Sequence, residues 1–310
     1  MRWPGADRSV VARKALQWGW SEGIGSDNHR FETTGDRMTS SAMKDKPFKI
    51  DKRQVYKAYK AVKSNQGAAG VDGQTLKQFE TDWKRNLYRI WNRMSSGSYF
   101  PPPVRAVSIP KKNGGERILG VPTVSDRIAQ VVVKQLIETE MESIFLPDSY
   151  GYRPGKSALD AVGVTRERCW KYDWVLEFDI KGLFDNIDHA LLLKAVRKHV
   201  TCDWALLYIE RWLTAPMEQQ GARTERTRGT PQGGVVSPLL ANIYMRRFVL
   251  GWKVGGHEER LEAHIVNYAD DFVICCSSGR GKEAMTVMRQ MMGKLKLTVN
   301  EKKTRLCRLP

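Results

Sequence analysis

The sequence predicts an α+β fold in which an antiparallel sheet is backed by helices, and three observations carry that expectation. Residues 263–266 and 272–276 are apolar and β-branched, and Asn267-Tyr268-Ala269-Asp270-Asp271 between them suits a tight reversal, so the pair reads as a buried hairpin. Residues 174–180, Trp-Val-Leu-Glu-Phe-Asp-Ile, read as a core strand ending in the acid Asp179. Between these runs lie long segments whose apolar residues recur at helical spacing.

Residues 1–48 are rich in Gly, Ser, Arg and Asp and read as a flexible basic leader, with a short helix at 9–18. A helix is expected over 51–64, with Val55, Tyr59 and Val62 on one face, and a second over 76–95. Residues 104–122 form two short strands around Gly114-Gly115, a basic hairpin. A long helix follows over 124–144, with Ile128, Val131, Val132 and Leu136 in register and Asp126 near its start. The Gly- and Pro-punctuated loop 151–157 feeds a helix at 158–162, and Arg153, Lys156 and that helix N-terminus compose a phosphate cradle. Helical character runs through 190–213. Thr230-Pro231-Gln232-Gly233-Gly234 then places glycines where the backbone must approach something closely, before a helix opening at Ser237-Pro238. A last helix is expected over 285–295.

The chemistry is suggested by the acids. Asp270 and Asp271, side by side, repel unless a cation lies between them. If the 174–180 strand lies beside the hairpin, Asp179 converges on them, and three carboxylates can hold two Mg²⁺, which prefers oxygen ligands. Two such ions roughly 3.5–4 Å apart activate an attacking 3′-hydroxyl and stabilise a leaving pyrophosphate, which is nucleotidyl transfer.

Composition narrows the partner. Against 34 Asp and Glu stand 51 Lys and Arg, and the formal charge of +17 points to a polyanion, nucleic acid above all. No stretch approaches the ~18 apolar residues of a membrane span. The five cysteines lack Cys-x-x-Cys spacing and read as reduced thiols in a cytosolic setting, not as a zinc site or disulfide framework. The five histidines do not cluster, and His189 reads as a helix-start or packing residue, not as a ligand.

Three blocks, in order, carry a family resemblance: residues 178–189 (Phe-Asp-Ile-Lys-Gly-Leu-Phe-Asp-Asn-Ile-Asp-His), residues 229–242 around Thr230-Pro231-Gln232-Gly233-Gly234, and Tyr268-Ala269-Asp270-Asp271. They resemble the signature palm blocks of reverse transcriptases. With Gly67-Ala68-Ala69-Gly70-Val71-Asp72-Gly73 and Gly151-Tyr152-Arg153-Pro154-Gly155-Lys156-Ser157 upstream, the wording resembles bacterial and organellar group II intron proteins, which act as reverse transcriptase and maturase.

The resemblance implies a right-hand polymerase fold, with fingers at 49–165 and a palm at 166–310 that includes a helical fingers return at about 190–228. It implies RNA-directed DNA synthesis in bacterial cytoplasm or an organelle, with intron RNA as template, a DNA or RNA primer, deoxynucleoside triphosphates as substrates, and a role in splicing and mobility. Asp179, Asp270 and Asp271, with the Ile180 carbonyl, would hold two Mg²⁺. Lys111 and Arg117 would fold over the triphosphate, Gln232 would touch the sugar and α-phosphate, and Phe184 would stand as the ring that excludes a ribose 2′-hydroxyl. Lys303, in an Asn-x-x-Lys-Thr block, would donate a proton or contact phosphate, while Arg153, Lys156, Gly233 and Tyr268 would touch the nucleic acid. By the same resemblance the sequence ends before the thumb and maturase region. A non-catalytic RNA-binding maturase module, using the basic surface but not the acids, is the alternative.

Overall fold

In the computed structural model, residues 46–110 and 114–309 are described. The greater part of the expected leader, with its 9–18 helix, and Lys111 lie outside these residues. The α+β class holds, and among the described residues there are two four-stranded sheets.

The first sheet has the order β2-β1-β4-β5, from β1 (Val104–Pro110), β2 (Glu116–Val121), β4 (Met217–Gln219) and β5 (Ala222–Thr224). The expected basic hairpin is β1 and β2, antiparallel from Arg105↔Val121 to Pro110↔Glu116, with Gly114 and Gly115 at φ of 81° and 78°. The β4–β5 hairpin is a surprise within the helical return. It turns at Gln220 and Gly221, both at positive φ, and β4 runs parallel to β1 through Val104↔Met217.

The second sheet has the order β6-β7-β3-β8 and is antiparallel throughout, from β3 (Trp174–Asp179), β6 (Ala263–Tyr268), β7 (Asp271–Cys276) and β8 (Arg305–Arg308). Its register is locked by aromatic rings. Phe178 of β3 and Phe272 of β7 are cross-strand partners, stacked with centroids 5.0 Å apart, and Phe248 of the helix Ser237–Val254 meets Phe272 edge-on at 5.6 Å. A one-residue slip would turn these rings out of the core and carry every acid to the opposite face.

Helices pack on the second sheet, and one apolar core runs from Val55 and Ile90 through Leu176, Phe178 and Phe272 of that sheet to Phe248 and Met288. The helix Val124–Ile144 forms as expected, with Thr123 capping the amide of Asp126. Two expected helices are broken. The 76–95 helix divides into Leu76–Glu80 and Trp83–Ser95, because Asp82 leaves helical geometry (φ −134°, ψ 47°) and Asn86 Nδ2 donates to the Phe79 carbonyl. The 190–213 stretch divides into His189–Arg197 and Asp203–Thr214, parted by a loop that buries Val200. His189 does start a helix, and its Nε2 lies 2.7 Å from the Gly229 carbonyl. No described helix is long and apolar enough to cross a membrane.

Candidate active site

Strand register assembles the acids. Asp179 closes β3 directly opposite Asp271, the first residue of β7, and Tyr268 faces Asp271 from the other side. Ala269 and Asp270 form the two-residue turn, with Ala269 at φ 58°, a conformation that costs a non-glycine residue about 1–2 kcal/mol. Buried Asn267 braces the turn. Its Nδ2 donates to the Ala269 carbonyl at 2.9 Å, its Oδ1 accepts from Ser149 at 3.0 Å, and its main chain pairs with Asp148 and Tyr150. Gly151 lies against the same turn so closely that a Cβ there would stand 2.2 Å from the Ala269 nitrogen.

Asp179 has partners of its own. Its Oδ2 accepts from Asn300 Nδ2 and from Lys303 Nζ, each at 3.0 Å, and its carbonyl accepts from the Asn300 amide at 2.8 Å. Between this bond and the Lys181 amide's bond to the Thr298 carbonyl sits buried Ile180, bridged to Val299. Lys303 is thus an ion-pair partner of the first acid. Among the described residues, no three Asp, Glu, His or Cys side chains are grouped closely enough to hold a metal ion as they stand. Strand register sets Asp179 opposite Asp271, and Asp270 stands beside them in the turn.

Next to the acids, Arg117, Tyr152, Phe184, Gln232 and Gly233 line one small pocket with Ser237 and Pro238. Arg117 Nε donates to Gln232 Oε1, and Gln232 Nε2 donates to Asp185 Oδ2 at 3.2 Å, which ties the basic hairpin to the β3 side. The floor is tight because Gly233 has φ 111°, and a Cβ on it would stand 2.4 Å from the Gly120 carbonyl oxygen. Phe184 is buried and meets the Tyr152 ring edge-on at 6.3 Å. The Tyr152 phenol is pushed well above the usual range, first by burial and then by Asp270, with Arg117 opposing and Asp271 adding to it.

Comparison with known proteins decides the family. The model of "Reverse transcriptase (RNA-dependent DNA polymerase)" matches residues 109–309. This chain belongs to the reverse transcriptase family. It is 34% identical over 221 residues to the group II intron-encoded protein LtrA of Lactococcus lactis subsp. cremoris, covering 69% of this chain and 36% of that protein. It is 36% identical over 197 residues to protein YkfC of Escherichia coli K12, covering 60% and 50%. It therefore spans about a third to a half of the length of these two relatives. Telomerase from Candida albicans, solved with a fragment of telomeric RNA, shares the fold at a TM-score of 0.55 and 13% identity, over 74% of this chain and 45% of that one.

In this chain, two of the groups expected to touch nucleic acid are engaged with partners of their own. Arg153 faces inward: only 6% of its side chain is exposed, and it pairs with Glu142 and donates to the Leu146 and Ser149 carbonyls. The helix Ala158–Cys169 caps its own first amides, since Ser157 and Asp160 form a reciprocal box and Asp160 adds negative charge at the N-terminus. The expected phosphate cradle is thus closed. Lys156 remains exposed, its Nζ 5.1 Å from the Tyr150 ring centre, and Tyr268 is half-buried, its phenol raised by burial and by Asp271. Replacing Arg153 with Ala should cost stability near the low end of the ~3–5 kcal/mol for a broken buried pair, because Glu142 stays part-exposed. Thermal melting beside RNA binding checks this: unchanged melting with weakened RNA affinity would restore the template role.

Tyr152, Asn267 and Asn300 were not singled out from the sequence as site residues. Tyr152 stands inside the quoted Gly-Tyr-Arg-Pro block, and Asn300 opens the Asn-x-x-Lys-Thr block, so each was adjacent to a signal without being read as one.

Proposed function

We propose that this chain catalyses RNA-templated addition of deoxynucleotides to a primer 3′ end, as part of a group II intron protein that also assists splicing and mobility. The observation that carries the reading is the register pair Asp179↔Asp271, set beside a pocket that holds Arg117, Phe184 and Gln232. The donor set fits Mg²⁺: Asp179, Asp270, Asp271 and the Ile180 carbonyl offer hard oxygen ligands, and Asp179 already draws the Lys303 ammonium. When bound there, two Mg²⁺ would activate the 3′-hydroxyl and offset charge on the leaving pyrophosphate.

The chain's own residues do the rest. Arg117 and Gln232, linked to each other, would orient the α-phosphate and sugar, in keeping with the dominance of positioning in phosphoryl transfer. Lys303 would leave Asp179 and turn toward phosphate or deliver a proton to the leaving group. Gly233 would let the nascent base pair lie against bare backbone, and Phe184 would press its ring on C2′ of the sugar. The basic outer face, where Lys46 and Lys52 cover the Trp91 ring at 3.5 and 4.3 Å, suits RNA phosphates and bases.

The deciding experiment is primer extension on an RNA template with deoxynucleotides and Mg²⁺. Extension supports the enzyme; RNA binding without extension would favour the RNA-binding maturase module instead. Phe184→Val should raise ribonucleotide incorporation relative to deoxynucleotide by about tenfold or more, the scale on which a pocket rejects a group by shape alone. An unchanged ratio removes Phe184 from sugar selection.

A further inference from the structure

We infer that Gln130, oriented by Asp126, is a positioning residue for the nucleotide pocket, holding in place the 231–236 turn that carries Gln232 and Gly233. The inference rests on the reading of that pocket given above. Both side chains lie in the helix Val124–Ile144 and are 1% exposed. Gln130 Oε1 accepts from the Val235 amide at 2.7 Å and from the Val236 amide at 3.3 Å. The helix Ser237–Val254 that follows has no side-chain cap of its own, so Gln130 satisfies donors at its entrance from another helix.

The orientation of the amide is dictated from its far end. Gln130 Nε2 donates to Asp126 Oδ2 at 2.9 Å, while Asp126 Oδ1 accepts from the Tyr99 hydroxyl at 2.9 Å and Trp212 Nε1 at 2.8 Å. Flipping the amide would set an NH₂ against two N–H donors and an oxygen against a carboxylate, mismatched contacts at both ends of a dry site. An acceptor at position 126 therefore fixes an acceptor toward Val235 and Val236.

The turn needs that hold. At its other end the Thr230 amide binds the Phe184 carbonyl at 2.6 Å, and the Gly120 amide binds the Gln232 carbonyl at 2.7 Å. Gln130 secures the exit, and loss of it frees the segment to swing about Gly233 and Gly234. The expected consequence is a displaced Gln232, felt as weaker nucleotide binding with the acids untouched.

The test uses Gln130→Met, which keeps length and removes the acceptor; Asp126→Asn; the exchange double variant D126N/Q130E; and Tyr99→Phe, which strips one donor from Asp126 without touching Gln130. In the double variant the amide introduced at position 126 donates to one oxygen of the carboxylate introduced at position 130, whose other oxygen faces Val235 and Val236, so the hydrogen-bond pattern is restored. Hydrogen exchange of the Val235 and Val236 amides and the KM for deoxynucleotide are measured alongside thermal melting. Gln130→Met and Asp126→Asn should each raise exchange and KM by roughly tenfold, the scale of one lost buried hydrogen bond, with kcat and primer–template affinity within about twofold. The double variant should bring both back, and Tyr99→Phe should lower the melting temperature without moving either.

A KM that rises in Tyr99→Phe as much as in Gln130→Met, or a folded double variant that recovers neither exchange nor KM, overturns the inference. Unchanged exchange in Gln130→Met overturns it even if the wild-type chain extends no primer. Absence of extension alone removes the nucleotide reading and not the hold on the turn.

Discussion

Replacing Asp271 with Asn is expected to lower primer extension by about 10²–10⁴-fold, since metal-borne stabilisation of transferring phosphoryl groups amounts to several kcal/mol and each 1.36 kcal/mol is tenfold. The substitution is nearly isosteric and leaves the pairing of β3 with β7 in place, so the fold should melt at an unchanged temperature. RNA affinity should also hold, because it draws on a chain whose formal charge is +17 and not on one carboxylate. Single-nucleotide incorporation at saturating primer and template gives the rate, with melting and RNA binding on the same preparations. A variant that retains extension within tenfold of wild type would place the chemistry elsewhere.

Gly151→Ala should be nearly as damaging from outside the acid pair. The new methyl would stand 2.2 Å from the Ala269 nitrogen and 2.8 Å from its Cα, and a main-chain neighbour cannot rotate aside as a side chain would. Gly151 is itself pinned, its carbonyl accepting from buried Asn242 at 2.7 Å. The hairpin tip must therefore move, and Asp270 with it. Misplacement of a reacting group by an ångström costs on the order of 10²-fold, and overpacking costs about 1–3 kcal/mol, so activity should fall further than stability. Gly163→Ala is the matched control: nothing lies within 4 Å of its Cβ position, in the helix Ala158–Cys169, and it should stabilise by up to ~1 kcal/mol. Full activity in Gly151→Ala would show that the turn tolerates displacement.

Much of this architecture was legible because it rests on local pattern. The hairpin was readable from two apolar runs around a short polar break, and β3 from an apolar run ending in Asp179. The helix Val124–Ile144 was readable from its periodicity and its acid near the start. What escaped depends on partners distant in sequence. Nothing in Gly-Tyr-Arg-Pro shows that Arg153 will meet Glu142 eleven positions earlier and turn inward. The break at Asp82 carries no Gly or Pro, and β4 and β5, three residues each with one apolar residue apiece, give too few alternations to read. Asp126 and Gln130 show only as helix positions, since their partners sit at Tyr99, Trp212 and Val235. The pairing of Lys303 with Asp179 crosses 124 residues.

The sheet β2-β1-β4-β5 has a consequence for exchange between relatives. Its strands come from residues 104–121 and 217–224, with β3 threaded between them in the chain. A crossover near residue 165, where the sequence alone would place a seam, hands the two halves of one sheet to different parents and parts Trp212 from Asp126. Chimeras cut there should misfold, whereas a transplant that carries 203–224 together with 46–165 keeps both sheet and buried carboxylate whole. The unit that must move together is discontinuous in the sequence, drawn from 104–121 and 217–224.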